Sequence, residues 1–320
     1  MKLSVVIPTM NKVALLERTL DALARQELAP DDTWEIVVVN DGSTDGTSAF
    51  LESRAGTGDV SLVVVTPPAN VGRACARNLG AWAAQGTWIL FLDDDIVAPP
   101  GLLRAHLELL EANPDCGTIG YAVTEPDLVD APHFHYLDSR GVARLQSGPA
   151  PGRFFVTQNA AVPRDAFLAV DGFDEEFSGY GFEDMEVAFR LEDGAGVRFL
   201  ALTAPVPRHV HHHTLDQYLE KKVECGRQSL PHLARLHPGR IRKMNLHYVV
   251  DVPGQRSLSL AGSLLRRFIG SSWGFRLPGL MAAWPTRAGR SPWWPSLYFK
   301  MMNLTVLCCF RQGLTDSSEP

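Results

Sequence analysis

The chain is poor in cysteine. Its 320 residues hold five, at positions 75, 116, 225, 308 and 309, an odd number with no Cys-x-x-Cys spacing. That argues against a disulfide framework and for a reduced, cytoplasmic setting. Long apolar runs are missing too. Stretches such as Ser257–Leu265 and Met301–Phe310 extend about ten residues between charges, whereas a membrane-spanning helix needs ~20. Near the start, Leu3–Ile7 is too short for the apolar part of a secretory leader and runs into Pro8, so no leader is expected. Also absent is a Gly-x-Gly-x-x-Gly turn. Ile7 is followed by Pro8-Thr9-Met10-Asn11-Lys12, which excludes the dinucleotide-binding signature of a dehydrogenase. A nucleotidyltransferase would carry a Gly-rich, Lys/Arg-containing loop near the first strand, and none stands there. Internal repeats are absent as well.

What remains is an ordinary globular composition, 45% hydrophobic and 21% charged, long enough for one large domain or two. The net charge of −6 conceals a split. Residues 1–239 hold 19 Lys+Arg against 33 Asp+Glu; residues 240–320 hold 11 against 3. The basic part also carries Trp273, Trp284, Trp293 and Trp294. Basic residues interleaved with Trp suit peripheral contact with an anionic membrane, here the inner face of the plasma membrane. An ordinary helical subdomain accounts for the same composition. No nucleic-acid reader motif accompanies the charge, so nucleic acid is not expected as a partner.

The first half alternates strands and helices. Leu3–Ile7, Glu35–Val39, Ser61–Thr66 and Thr87–Leu92 read as buried strands. Residues 12–26, Thr44–Arg54 and Gly72–Ala84 read as helices between them. Strands this apolar, separated by helices, imply a mostly parallel sheet covered on both faces. Ligands of such sheets bind beyond the carboxyl ends of the strands. Pro8-Thr9, Asn40-Asp41-Gly42 and Asp93-Asp94-Asp95 all fall at those ends. Residues 124–153, rich in Pro, Gly and His, read as loops over the crevice. Gly181–Asp193 reads as a helix and Val197–Thr203 as a strand.

The chemistry is concentrated in four places. Three adjacent aspartates at a sheet mouth repel one another unless a cation or a ligand's hydroxyls use them. Magnesium is usually held this way, by a carboxylate or two together with substrate phosphates. In Asn40–Thr47, Ser43 or Thr44 can cap the next helix and Gly42 can take a positive φ. That leaves Asp41 to accept an N–H from a nucleobase edge. Arg73 and Arg77, four apart on one helical face, can meet a diphosphate. Glu183 and Asp184 stand together at a helix start, where one acid serves the helix dipole and the other can act as a general base. In Arg208-His209-Val210-His211-His212-His213, alternate residues share a face. His209 or His211 can complete a metal site begun by Asp95.

Val5-Val6-Ile7-Pro8-Thr9, Asn40–Asp45, Asn70-x-Gly72 with Ala76-Arg77-Asn78, Phe91–Asp95, and Gly172–Glu175 with Glu183-Asp184 occur in one order over residues 1–215. In that order they resemble glycosyltransferase family 2, inverting metal-dependent enzymes with the GT-A fold. The resemblance implies an α/β fold, Rossmann-like, its central sheet mostly parallel with helices on both faces. It implies a catalytic domain over 1–215, with a nucleotide-sugar half at about 1–123 and an acceptor half at about 124–215. A helical, basic, Trp-containing region would follow over 216–320. The donor-binding set would be Pro8, Thr9, Asp41, Gly72, Arg73, Asp93 and Asp94, with Thr9 and Asp41 on the base, Arg73 near the diphosphate and Asp93 on the ribose. Asp95 with His209 or His211 would ligate Mg²⁺ or Mn²⁺. Asp184 would deprotonate the acceptor hydroxyl and Glu183 would contact the acceptor. The expected donor is a nucleotide-sugar, UDP-linked, and the expected acceptor a glycan or lipid-linked glycan of the cell surface. A soluble small-molecule acceptor is the first alternative, and a non-catalytic sugar-nucleotide-binding scaffold the second. Family members often carry Tyr-Asn or Asn-Arg-Pro after the Pro-Thr turn, and here Met10-Asn11-Lys12 follows.

Overall fold

The computed structural model describes residues 1–56, 60–125, 131–210, 213–254, 257–282 and 294–316. Two compact units emerge: Met1–Asp130 with Leu137–Glu175 and Glu183–His212, and Ala131–Tyr136 with Glu176–Phe182 and His213–Pro320.

The first unit is built on a sheet whose strands run in the order β3-β2-β1-β4-β9-β6-β10-β8. These are β1 (Leu3–Thr9), β2 (Trp34–Asn40), β3 (Ser61–Val65), β4 (Trp88–Leu92), β6 (Cys116–Ile119), β8 (Gly148–Ala150), β9 (Asn159–Pro163) and β10 (Arg198–Ala201). Strands β1 to β4 are parallel neighbours, as are β6 and β10. Strand β9 runs antiparallel between β4 and β6, and β8 runs antiparallel to β10 at the edge. Helices α1 (Val13–Leu23), α2 (Thr47–Arg54), α3 (Arg73–Ala83) and α4 (Leu102–Ala112) connect the parallel strands.

The period-2 alternation of a strand divides its side chains between two faces. Leu3, Val5 and Ile7 of β1 pack with Leu16, Leu20 and Leu23 of α1 and with Leu103 and Leu107 of α4. Val6, between them, joins the other core with Ala74 and Ala81 of α3, Phe91, Phe167, Phe173, and Val187 and Leu191 of α7 (Glu183–Gly194). Each fully buried Leu, Ile, Val or Phe among them contributes about 1.5–3 kcal/mol of transfer free energy. Both faces are thus covered, which is why the strands read as unbroken apolar runs.

Residues 124–153 are not loop throughout. They include α5 (Pro132–Asp138) and the edge strand β8, paired antiparallel with β10. A second, three-stranded sheet has the order β5-β11-β7, from Ile96–Val97, Arg208–His209 and Val123–Thr124. Its register sets His209 opposite Ile96, the residue after the aspartate run.

The second unit is helical. It contains α8 (Leu215–Arg227), α9 (Ser229–Leu236), α10 (Pro238–Lys243), α11 (Leu260–Ile269), α12 (Ser272–Ala282) and α13 (Trp294–Asp316). Thr214 and Gln217 form a reciprocal capping box at the start of α8. Helices α8 and α13 cross closely: a Cβ on Gly226 would lie 2.1 Å from the Phe310 carbonyl oxygen, and one on Gly313 2.0 Å from that of Val223. Only a residue without a side chain permits that approach. Among the described residues, no helix is long and apolar enough to cross a membrane. Trp284, Trp293 and the side chain of Trp294 lie outside the described residues.

Candidate active site

Three strand ends meet because β1 and β2 pair in register to their last residues, Thr9 opposite Asn40, and β4 runs alongside β1 into Asp93. The Thr9 hydroxyl donates to Asp94 Oδ2 at 2.8 Å, and the Asp41 amide donates to the Thr9 carbonyl at 2.9 Å. The polar clusters recognised in the sequence are therefore joined directly.

Asp41 is buried and clasps the turn before α3. Its carboxylate accepts the Val71 amide at 2.7 Å, the Gly72 amide at 3.1 Å and Asn70 Nδ2 at 2.8 Å. Gly42 takes φ +77°, and a Cβ there would come within 3.0 Å of the Asn70 nitrogen. Gly72, at φ +82°, turns the chain into α3. The helix α2 begins later than the sequence implies, and neither Ser43 nor Thr44 caps it. Asp45 instead accepts from the Thr47 amide at 3.0 Å. Asn11, itself at φ 55°, accepts the Thr44 amide at 2.7 Å and pins the same turn.

The aspartates have three different environments. Asp93 is the most open of them and pairs with Arg77 Nη2 at 3.2 Å. Asp94 is buried, with one oxygen on Thr9 and the other 2.8 Å from Lys12 Nζ. Burial drives its pKa up to about 6 against the pull of Lys12. Asp95 Oδ2 lies 2.9 Å from the same ammonium, and Asp95 Oδ1 lies 3.1 Å from His209 Nε2. Burial favours the neutral acid here as well, but His209 and Lys12 more than offset it and hold Asp95 well below the usual carboxylate range. Burial likewise opposes the charge on Lys12 and on His209. In each case the facing carboxylates prevail and the pKa rises.

The Asp95–His209 pair fits a divalent cation. The two atoms are within ion-pair range, and Asp95 Oδ1 is buried without a hydrogen bond of good geometry. The carboxylate is a donor that Mg²⁺ and Mn²⁺ accept, and the imidazole is one that suits first-row divalent ions rather than magnesium. No group of three or more His, Cys, Asp or Glu able to hold a metal occurs among the described residues. His211 lies outside the described residues.

Across from Asp93, α7 opens with Glu183 and Asp184, and Arg77 joins the two sides. Its Nη1 is 3.2 Å from Glu183 Oε1 and 3.6 Å from Asp184 Oδ1. Glu183 is the deeper acid, only 2% exposed, with Oε2 unpartnered. The Asp184 side chain keeps 18% of its surface open and accepts from Thr157, Oγ1 at 3.1 Å and backbone N at 3.2 Å. Burial raises the Asp184 pKa, the neighbouring Glu183 raises it further, and Arg77 opposes both, leaving it at about 7.

Of the residues expected from the sequence, Thr9, Asp41, Gly72, Asp93, Asp94, Asp95, Glu183, Asp184 and His209 are thus linked through direct contacts or one shared neighbour. Pro8 precedes Thr9 in β1, half-buried, and Arg73 opens α3. Sequence reasoning missed Lys12 and Thr157. No local pattern marks either, because each acquires its role from a partner 27 to 83 residues away. Arg77, which the sequence allows to meet a diphosphate, is buried among carboxylates.

A model of "Glycosyl transferase family 2" matches residues 4–170, and one of the "N-terminal domain of galactosyltransferase" matches residues 146–213. The chain is 35% identical over 220 residues to validoxylamine A glucosyltransferase of Streptomyces hygroscopicus subsp. limoneus, covering 59% of this chain and 47% of that one. It thus spans about half the length of the curated relatives it matches first. Two solved structures share the fold. The mannosyltransferase PcManGT from Pyrobaculum calidifontis, in complex with GDP-Man and Mn²⁺, superposes with a TM-score of 0.60 at 20% identity, over 98% of this chain and 86% of that one. S. aureus TarS 1-349 in complex with UDP gives 0.57 at 16% identity, over 99% and 91%. With its family match spanning more than half of the sequence, its central sheet and its strand-end aspartates, the chain belongs to glycosyl transferase family 2.

Proposed function

We propose that the protein is an inverting glycosyltransferase that moves a sugar from a UDP-linked donor to a hydroxyl of a glycan or lipid-linked acceptor in cell-surface polysaccharide synthesis. The observation that carries this reading is the placement of Asp184. It is a partly open carboxyl with a pKa of about 7, tied through Arg77 to Asp93. A base poised near the working pH is the best compromise between being ionised and accepting a proton.

Thr9 and Asp41 would hold the nucleobase, Asp93 the ribose and Arg73 the diphosphate. Asp95 and His209 would hold the cation, Mg²⁺ or Mn²⁺, which when bound neutralises the leaving diphosphate as a Lewis acid. Asp184 takes the proton of the acceptor hydroxyl as that oxygen bonds to the anomeric carbon and the bond to the diphosphate oxygen breaks. In-line attack inverts the anomeric configuration. Glu183, buried against Arg77, holds the guanidinium that positions Asp184. Residues 1–215 would form the catalytic domain and 216–320 a helical region that sets the protein peripherally on the cytoplasmic face of an anionic membrane. A UDP complex of a structure with the same fold supports the choice of nucleotide. A relative named validoxylamine A glucosyltransferase favours a second reading, glucose transfer to a small molecule.

The test is donor turnover. Purified protein is incubated with a panel of nucleotide-sugars and Mn²⁺ or Mg²⁺, and nucleoside diphosphate release is scored. Slow metal-dependent cleavage of one donor, lost in Asp95→Ala and Asp184→Asn, is expected. The anomeric configuration of the transferred sugar, read by NMR, decides between inversion and retention. No cleavage and no thermal shift with any donor would sink the reading.

A further inference from the structure

Leu260, Leu264 and Phe268 recur every fourth residue along α11, and all three are exposed, Leu260 to 80%. Positions spaced by four share one helical face, and Arg267 falls on it too. The opposite face is the one that packs, burying Ile269 and Gly262, the latter beside the Tyr248 ring. Helix α12 adds Trp273, exposed to 68%, and Leu280 two turns further on. The Arg276 guanidinium lies 5.5 Å from the centre of the Trp273 ring. Five large apolar side chains thus face water on two consecutive helices. Soluble monomers rarely leave such a set uncovered without a use for it.

Charge says what covers it. Helices α11 and α12 carry Arg266, Arg267 and Arg276 and no Asp or Glu, and Arg266 pairs with Asp251 at 2.7 Å. A second copy of the chain, docked through this same face about a two-fold axis, would bring the arginines of both copies into one interface with no acid of α11 or α12 to meet them. A surface of anionic lipid headgroups over hydrocarbon satisfies both halves of the pattern. Leu and Phe enter the acyl boundary, Trp sits at headgroup level, and Arg meets phosphate. We infer that α11 and α12 form the docking surface of this protein for an anionic lipid bilayer. The inference deepens the peripheral placement proposed above and draws only on residues of the helical unit, so it does not depend on catalysis.

The experiment uses the full chain and sedimentation with vesicles of phosphatidylcholine alone or with about 30% phosphatidylglycerol. Wild type is expected to pellet with the anionic vesicles at low salt and to be released in part at high salt. Arg267→Gln with Arg276→Gln should weaken partitioning about 30-fold, from roughly fivefold per arginine near the surface. Leu264→Gln with Phe268→Gln should weaken it about tenfold or more, and this loss should persist at high salt, where only the apolar contribution remains. Both variants change exposed residues, so circular dichroism and soluble donor turnover should match wild type.

Vesicle binding undiminished in both variants would overturn the inference by placing the contact elsewhere. So would a wild type that ignores the vesicles, or one that is a dimer which the Leu264→Gln, Phe268→Gln variant dissolves. Vesicle binding with neither donor turnover nor a donor-induced thermal shift would leave the surface standing and remove the catalytic reading. Turnover without vesicle binding would do the reverse.

Discussion

Arg77 Nη2 lies 3.2 Å from Asp93 Oδ1, a contact that ties α3 to the mouth of β4. The same buried guanidinium reaches Glu183 at 3.2 Å and Asp184 at 3.6 Å. One cation therefore stands among three carboxylates from two distant segments. Removing it strands charges in a dry place, a loss typically of about 3–5 kcal/mol for a buried pair. Arg77→Met is expected to lower stability by about that amount in chemical denaturation, and to abolish donor turnover. Arg77→Lys should rescue little, since a point ammonium does not span three partners as a planar fork does. Full activity in Arg77→Lys would show that charge alone matters here.

Asp184 predicts a pH dependence. Its carboxyl is ordinarily half-ionised at 3.8, and burial beside Glu183 raises that to about 7. The base works only when ionised, so turnover should climb with pH and level off above about 7. Stability should move the opposite way. The folded state binds this proton more tightly than the unfolded chain, so the stabilisation is complete below about pH 4 and is lost as pH rises through 7. Asp184→Asn cannot ionise. Its Tm relative to wild type should therefore improve from pH 4 to pH 8, while its turnover falls ~10²–10⁴-fold. A Tm difference that stays flat across that range would mean an unshifted carboxyl.

Gly80 sits in the middle of α3, where helix propensity alone favours alanine by about 1 kcal/mol. Packing reverses the sign. A Cβ at this position would lie 2.4 Å from Val6 Cγ1 and 3.1 Å from Val39 Cγ2. Both valines are β-branched strand residues in the core, with little room to turn away. Gly80→Ala is expected to destabilise by about 1–3 kcal/mol, seen as a lower denaturation midpoint with an unchanged m-value. Stabilisation would show that α3 can move off the sheet.

The nucleotide-sugar half was legible because its signals are local. Val5-Val6-Ile7 and Ile36–Val39 are buried on both faces and so read as strands without context. Polar residues at their ends had to gather where parallel strands end. The rest depends on distant pairing. Strand β9 enters antiparallel between β4 and β6, yet nothing in Asn159–Pro163 fixes its direction or its neighbours. Residues 124–153 hide α5 and β8 because Pro, Gly and His blur both periodicities. Ser43 and Thr44 looked like caps, but Asn11 and Asp45 took the amides of that turn. Asn11 reaches it only because β1 and β2 are neighbours. The spacing of Arg77 to Arg73 allows a diphosphate contact and hides its burial, since the carboxylates that claim it include one 106 residues further along.

Lys12 offers the sharpest test of the proposed metal site. Its ammonium stands 2.8 Å from Asp94 Oδ1 and 2.9 Å from Asp95 Oδ2, leaving Asp95 Oδ1 toward His209. The two carboxylates keep it protonated at any working pH, so a fixed positive charge borders the donor atoms a cation would use. Repulsion at this range costs a bound divalent ion about 1–2 kcal/mol even with strong screening. That is enough to favour binding of metal together with an anionic diphosphate over binding of metal alone. Lys12→Met should therefore tighten Mn²⁺ binding without nucleotide roughly tenfold, measured by the free-ion EPR signal. Lys12→Arg should behave like wild type. Weaker Mn²⁺ binding in Lys12→Met would mean that the ammonium chiefly holds Asp95 in place, and the charge argument would fail.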